Sequence, residues 1–315
     1  MTNIFLENVN LSSRSGPNSF ASKLIKYLSN FGHNFVSIQH ADARLCFIES
    51  FYKKNNIPLF QRLDGIYFNT KQDFEKQNQN IKRTYENSDG VIFQSEFNKR
   101  LTHKYFGPHD NSRIIHNGAD MEFIEKIQAF SHPRLNRFNK IWSCASHWRP
   151  HKRLDDNIRY FLEHADQNDC LVVAGKVEKQ LKNDRIFYVG EITYEQILSL
   201  YKASSHFIHL AWLDHCPNVV VDARACGCNI ICSSAGGTRE IAGLDATIIE
   251  EEEWDLSPVD LYSPPPLDFN KKVKNFYDSC YNMEQVAKKY SNFIKGINEH
   301  GSRNTYKDQQ PEVTR

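Results

Sequence analysis

Short apolar runs alternate with helix-length amphipathic segments along almost the whole chain, and this alternation is the strongest constraint on its fold. NIFLE, FVSIQ, PLFQRL, VIFQ and RIIH make one series; KIWSCAS, CLVVAG, IFYVG, HFIHL, NIICSS and ATIIE make a second. Between most of them lie segments such as NSFASKLIKYLSNFG and TYEQILSLYKAS, long enough for helices. Strand alternating with helix implies βαβ units and parallel sheets. The polar run HPRLNRFNK (His132–Lys140), broken by Pro133, separates the two series and marks a domain boundary. A chain of 315 residues suits two domains of roughly 150 each. The expected organisation is therefore α/β: residues 1–138 and 139–268 each form a Rossmann-like parallel sheet, and the two face a central cleft. In such sheets ligands bind outside the carboxyl ends of the strands. After SPPPLDF a helical pattern runs from about Asn270 to Asn298, giving a helical unit at 269–299. The polar tail 300–315 is expected to be disordered. The acidic run Glu250–Glu253 reads as a solvated loop.

Composition narrows the function classes. A net charge of +1 gives no bulk electrostatic case for nucleic acid. Residues 1–138 hold 18 basic against 13 acidic side chains, a net +5, which leaves −4 for the rest. A mildly basic first half suits an acidic partner or an anionic membrane surface. MTNIFLENVN has no basic start and no long apolar run, so no signal peptide is read there. No segment approaches the roughly 18 apolar residues of a membrane helix. Several of the eight cysteines lie inside apolar runs, as reduced thiols of a cytoplasmic protein do. Cys226-x-Cys228 with Cys232 lacks the spacing of a zinc site, so no metal is expected.

The residues that suggest chemistry cluster in the second half. In DHCPNVVVDARACG, Pro217 suits a helix start and Gly227 its end, before the strand NIICSS. The first amides of that helix, at Asn218, Val219 and Val220, then lack intrahelical partners. His215 and Cys216 are poor caps, so these amides form an anion site suited to phosphate. Asp214 lies just before the helix and Asp222 one to two turns inside it, where both could face one cavity. Read blandly, Asp214 is a loop acid and Asp222 sits on a solvated face. Upstream, SCASHWRPHKRLDD clusters Arg149, Lys152 and Arg153 with His147 and His151 between a strand and a helix. Such cations can neutralise a diphosphate, or can form an ordinary basic loop. Downstream, Gly236-Gly237 in SSAGGTREI allows close backbone approach to a ligand.

The order of these motifs resembles the donor half of the GT-B glycosyltransferases of family 4, the glycosyl transferases group 1 domain. WRPHKRL, Asp214-x7-Asp222, ACGCNII and GGTRE follow that family's basic loop, acid-x7-acid, ACG and GG..E elements over Ile141–Gly243. SSRSGPNSFASKLIKYLSNFGH resembles its N-terminal glycine loop and helix, and NSDGVIFQSEFNKRLTHKYFG with RIIHNGAD its run to the linker. Both motif acids are aspartate here, where the family usually has glutamate, so each reaches about 1.5 Å less; a misplacement of that order can slow a reaction about a hundredfold. The family's arginine position falls on His147, with Arg149 two residues on. The family's N-domain histidine falls at Asp64, in PLFQRLDGIYF, with His40 a weaker alternative. The chain is also short for the family, which points to a trimmed acceptor domain.

The resemblance implies retaining, metal-independent transfer from a nucleoside-diphosphate-sugar to a carbohydrate, lipid-linked or other hydroxyl acceptor, in polysaccharide or glycoconjugate synthesis. It implies that Asp214 orients the donor sugar, that Lys152 and Arg149 stabilise the leaving diphosphate, and that Asp222 binds the ribose hydroxyls. Ser15, Gly16 and Asp64 would lie on the acceptor side, although Asp64 could simply pair with Arg62. The helical segment 269–299 would cross back onto the first domain, and the cleft would close about a hinge at 133–140. Peripheral membrane contact would run through the first domain. Two other functions fit the same fold: a nucleotide-sugar epimerase, and a non-catalytic nucleotide- or glycan-binding relative.

Overall fold

The computed structural model describes residues 2–13 and 15–300, so the tail 301–315 lies outside the described residues. The first half folds as β1 (Thr2–Glu7), α1 (Gly16–Asn30), β2 (His33–Phe35), β3 (Ala43–Phe47), β4 (Leu59–Leu63), α2 (Phe74–Asn87), β5 (Gly90–Phe93), α3 (Glu96–Phe106), β6 (Ser112–Ile114) and α4 (Met121–Lys126). The second half continues with β7 (Ile141–Ala145), α5 (Leu154–His164), β8 (Cys170–Ala174), β9 (Ile186–Gly190), α6 (Tyr194–Ala203), β10 (His206–His209), α7 (Asn218–Ala225), β11 (Asn229–Ser233), α8 (Thr238–Ala242), β12 (Thr247–Ile249), β13 (Lys272–Val273) and α9 (Met283–His300).

Two sheets result. The first runs β2-β1-β3-β4-β5-β6, with every pairing parallel. The second runs β13-β12-β11-β10-β7-β8-β9, parallel except for β13 at its edge. Strand order reverses between β1 and β3 in the first sheet and between β7 and β10 in the second. A crevice opens at such a switch point, because the flanking connections leave on opposite faces.

The strands are apolar because they are buried on both faces. β5, β8 and β10 illustrate this with Ile92, Val173 and Ile208 fully inside. The helices present one apolar stripe each; on α1 it is Phe20, Leu24 and Leu28. α9 returns to the first half and lays Val286, Tyr290 and Ile294 against that stripe.

Three expectations change. ARLCF forms β3, a strand that the sequence hides because Arg44 interrupts it; Arg44 is buried and bonds Glu7 of β1 at 2.5 Å. FVSIQ is not a strand: β2 ends at Phe35 and a single 3-10 turn follows at Ile38–His40. The helical pattern expected from about Asn270 begins only at Met283. Before it, β13 pairs with β12, and the buried Asn275 amide donates to the carbonyls of Arg239 and Gly243 at 3.0 and 2.8 Å. Those tertiary bonds fix an extended path that local pattern does not reveal.

Candidate active site

The loops after β7 and β10 leave the switch point of the second sheet side by side. The β7 loop carries His147, Arg149, His151 and Lys152; the β10 loop carries Asp214. Lys152 reaches across and forms an ion pair with Asp214. His209, the last residue of β10, places Nε2 3.0 Å from Asp214 Oδ2, the oxygen that Lys152 also contacts. The amide of His215 donates to Asp214 Oδ1 at 3.0 Å. Burial would raise the Asp214 carboxyl, but Lys152 and His209 outweigh it and hold it well below the usual carboxylate range. His209 is pushed down by its own burial, against the pull of Asp214. The centre is therefore a fixed carboxylate between a lysine and a neutral histidine, with Lys152 and Asp214 partly open to the cleft.

The α7 amino terminus stands beside it. Pro217 is the residue before the helix rather than its first residue. One of the three expected free amides is thereby used: Val220 donates to the Pro217 carbonyl at 3.1 Å, and its side chain is buried. The amides of Asn218 and Val219 carry no partner among the described residues, so two donors face the anion position. His147 and Arg149 are exposed on the neighbouring loop, and their side chains make no hydrogen bond or ion pair among the described residues. Ser15 and Gly16 lie opposite, where α1 begins; the Gly16 carbonyl accepts from the Asn218 amide group at 3.0 Å.

Several residues expected at the ligand are engaged by the protein itself. Asp222 is not open to the cleft: Lys23 of α1 lies 3.3 Å away, and both side chains are more than nine-tenths buried. Burial pushes the Asp222 carboxyl up, and Lys23 draws it back. Gly236 and Gly237 approach backbone rather than an open cavity. A Cβ on Gly236 would lie 2.6 Å from the Asp214 carbonyl, and one on Gly237 would lie 2.0 Å from the His215 carbonyl. Their smallness seats the Asp214 loop, whose carbonyl accepts from the Gly237 amide at 2.7 Å. Asp64 pairs with Arg62 and accepts from Gln94 at 2.7 Å, which is the bland reading of that pair; its second oxygen is buried without a partner. His40 lies at the amino end of β3, away from the strand ends that line the cleft. Nor is the whole acidic run solvated. Glu251 is buried in a two-bond pair with Arg153, at 2.9 and 2.7 Å.

The first half supplies a matching wall. His215 packs against Gly65, and its Nδ1 accepts from Asn98 Nδ2 at 3.2 Å. The Asn117 amide group donates to the Cys216 carbonyl at 2.8 Å. Glu240, the acid of GGTRE, accepts the first-turn amides of α3, Glu96 and Phe97, at 2.7 and 2.9 Å, and lies 3.1 Å from His116. Sequence reasoning missed His209, Lys23 and Glu240. His209 left one signal, a polar residue at the end of an apolar strand directly before the acid loop. Glu240 stood in the GGTRE motif, but nothing local showed that it holds the start of α3, 144 residues away, and Lys23 left no signal, its partner lying 199 residues away.

Comparison with known proteins agrees with this fold. The family model described as glycosyl transferases group 1 matches residues 130–256. An uncharacterized glycosyltransferase of Methanocaldococcus jannaschii is 22% identical over 69% of this chain, which spans 60% of that relative's length. Among solved structures, a glycosyltransferase from Rickettsia africae superimposes with a TM-score of 0.63 at 14% identity, over 95% of this chain and 99% of that one. HepE of Anabaena, solved in complex with UDP-glucose, superimposes with a TM-score of 0.60 at 12% identity, over 95% and 98%. The chain thus has the GT-B glycosyltransferase architecture, and its residues 130–256 match the glycosyl transferases group 1 family.

Proposed function

We propose that this protein is a retaining glycosyltransferase that moves a sugar from a nucleoside-diphosphate donor to a hydroxyl of a glycan, lipid-linked or similar acceptor, in polysaccharide or glycoconjugate synthesis. The observation that carries this reading is the Lys152–Asp214–His209 cluster beside two free helix amides, at the switch point of a domain that matches a glycosyltransferase family. Cleavage of the donor builds negative charge on the diphosphate and positive character on the sugar. Lys152, Arg149 and the Asn218 and Val219 amides stabilise the first; removing one such preorganised donor typically costs about 3–4 kcal/mol of barrier. Asp214, held ionised, accepts from sugar hydroxyls and orients the ring. The leaving phosphate takes the acceptor proton on the same face, so no separate base is required.

In this reading residues 139–268 hold the donor, residues 1–138 the acceptor, and 269–299 tie the two together. Ser15, Gly16 and the unpartnered Asp64 oxygen face the acceptor side. Ribose hydroxyls reach Asp222 only by displacing Lys23. That pair also favours a second reading, a binding protein of the same fold without turnover.

Thermal unfolding of wild type and Lys152→Ala with UDP, GDP, ADP, CMP, dTDP and their sugars tests the donor site. HepE's bound UDP-glucose makes a UDP-sugar the first to try. A ligand at a hundred times its Kd adds about 2.7 kcal/mol of stability. A shift for one base, lost in Lys152→Ala, is the expected result; no shift with any nucleotide rejects the proposal. Binding without sugar transfer or donor hydrolysis selects the second reading.

A further inference from the structure

The carboxylate of Asp214 has three partners, and one of them is needed twice. Lys152 pairs with Oδ2, and in the proposed transfer the same ammonium meets the leaving diphosphate. When it turns to the diphosphate, two bonds still hold Asp214. The His215 amide donates to Oδ1 at 3.0 Å, and His209 Nε2 lies 3.0 Å from Oδ2. One donor on each oxygen fixes the plane of a carboxylate; a single donor leaves it free to turn about that bond. The His215 amide is backbone, so His209 is the side chain on which the direction of the acid then depends.

The fold makes His209 rigid. It ends β10 and is buried. Its ring lies nearly parallel to that of Phe207, two residues back on the same face of the strand, with centroids 6.3 Å apart. The peptide that follows is tied to the Lys152 loop. Buried Asn157 accepts the Leu210 amide at 3.1 Å and donates to the Lys152 carbonyl at 3.1 Å. Arg153 donates to the Leu210 carbonyl at 3.3 Å. A group carried on a strand and braced in this way holds its geometry more closely than one on a loop. The chemistry suits the task as well. Asp214 is ionised and can only accept, so Nε2 carries the hydrogen. A neutral imidazole orients the carboxylate without cancelling the negative charge that faces the developing positive character of the sugar. A lysine or arginine at this place would cancel it.

We infer that His209 is a positioning residue, which through Nε2 holds Asp214 toward the donor sugar while Lys152 serves the diphosphate. The inference rests on the transfer reading proposed above. The test measures donor hydrolysis and nucleoside-diphosphate affinity in wild type, His209→Leu and His209→Gln, beginning with UDP-glucose and UDP and continuing through the GDP, ADP and dTDP pairs. In hydrolysis the oxygen of water replaces the diphosphate on the anomeric carbon, and the proton of water goes to the diphosphate. His209→Leu should lower kcat by about tenfold to a hundredfold, the cost of a misplaced group, with the Kd of the nucleoside diphosphate unchanged. His209→Gln, whose amide nitrogen can donate to the same oxygen, should recover most of that loss. An unchanged kcat in His209→Leu overturns the inference, as does a glutamine variant no faster than the leucine variant. A loss of kcat that comes with an equal loss of nucleotide affinity assigns His209 to structure alone and also overturns it. If wild type binds none of these nucleotides, the transfer reading falls and this inference with it; binding and hydrolysis that His209→Leu leaves untouched remove this inference only.

Discussion

At the scale of single residues, the cleft is built from charges that burial makes dependent on one another. His215 and His151 are each pushed down to about 4, chiefly by burial, with Lys152 adding to it. In the unfolded chain they would take up a proton near pH 6.5. Between about pH 6.5 and 4 the unfolded state thus binds more protons, so stability falls as pH falls through that window and is complete above it. For His215, held at about 4 in the folded state, this contribution is roughly 3 kcal/mol. Urea unfolding across this range should show the decline, and His215→Gln should flatten it. Asp214 works in the same direction at lower pH. Its depressed carboxyl contributes stability above the ordinary carboxylate range and loses it only as pH falls toward its own low value. Lys23 gives a second expectation. Lys23→Met leaves Asp222 buried without a partner and should cost about 3–5 kcal/mol near neutral pH. If ribose uses Asp222, the stability gained on adding nucleotide should be larger in that variant than in wild type; an equal gain would assign Asp222 to structure alone.

At the scale of elements, what the sequence showed and what it hid follow one rule. Strands buried on both faces, such as CLVVAG and NIICSS, and helices with one apolar stripe, such as α1 and α6, depend on local pattern and were legible. β3 was not, because its polar Arg44 is neutralised by Glu7, 37 residues away. The extended path before α9 was hidden for the same reason, being fixed by Asn275 against carbonyls of α8 and the glycine that follows it. In the site, motif order located Asp214 and Lys152, and their contact follows from strand order. Neither Asp222 nor the glycine pair stands open to the cleft, because Lys23 of the other half pairs with Asp222 and the backbone of Asp214 and His215 fills the space against the glycines. α9 shows how far a distant element can matter. Met283, Val286, Ala287, Tyr290 and Ile294 sit inside the first core, and the Tyr290 hydroxyl accepts from Arg62 at 3.1 Å. Truncating one such apolar side chain costs about 2–5 kcal/mol. Ile294→Ala should therefore weaken the fold by that amount in a urea titration. A chain ending before residue 283 exceeds the 5–15 kcal/mol that typically holds a domain and should show no cooperative melt.

At the scale of the whole molecule, the two sheets are joined by more than the linker. The sequence places a hinge at 133–140, and a closing cleft would need the other connections to yield. Leu213 and Ala235 from the second half are buried in one apolar cluster with Leu63, Phe68 and Phe93 from the first. Trp254 packs its ring 4.8 Å from Phe68 and 6.2 Å from Phe97. Across the same seam the Thr70 amide donates to the Val259 carbonyl at 3.0 Å and the Val259 amide to the Phe68 carbonyl at 3.1 Å. Glu240 clamps the start of α3 with two amide bonds, and α9 belongs to the first core although the chain reaches it from the second sheet. Separate Rossmann-like units would unfold separately if their interface were small and polar, as ordinary interdomain contacts are. Here, opening one half exposes apolar surface and leaves Asp222 and Glu240 of the other without partners. The expected behaviour is a single calorimetric transition, with calorimetric and van't Hoff enthalpies equal. Glu240→Gln should keep that single transition at a lower temperature, because it weakens one clamp and leaves the apolar seam intact. Two resolved transitions in wild type would show that the halves stand alone and that the linker can act as a hinge. A single transition would show that the halves unfold as one unit, and the proposed donor would then reach the site through the exposed rim at His147, Arg149 and Gly16 rather than through the seam.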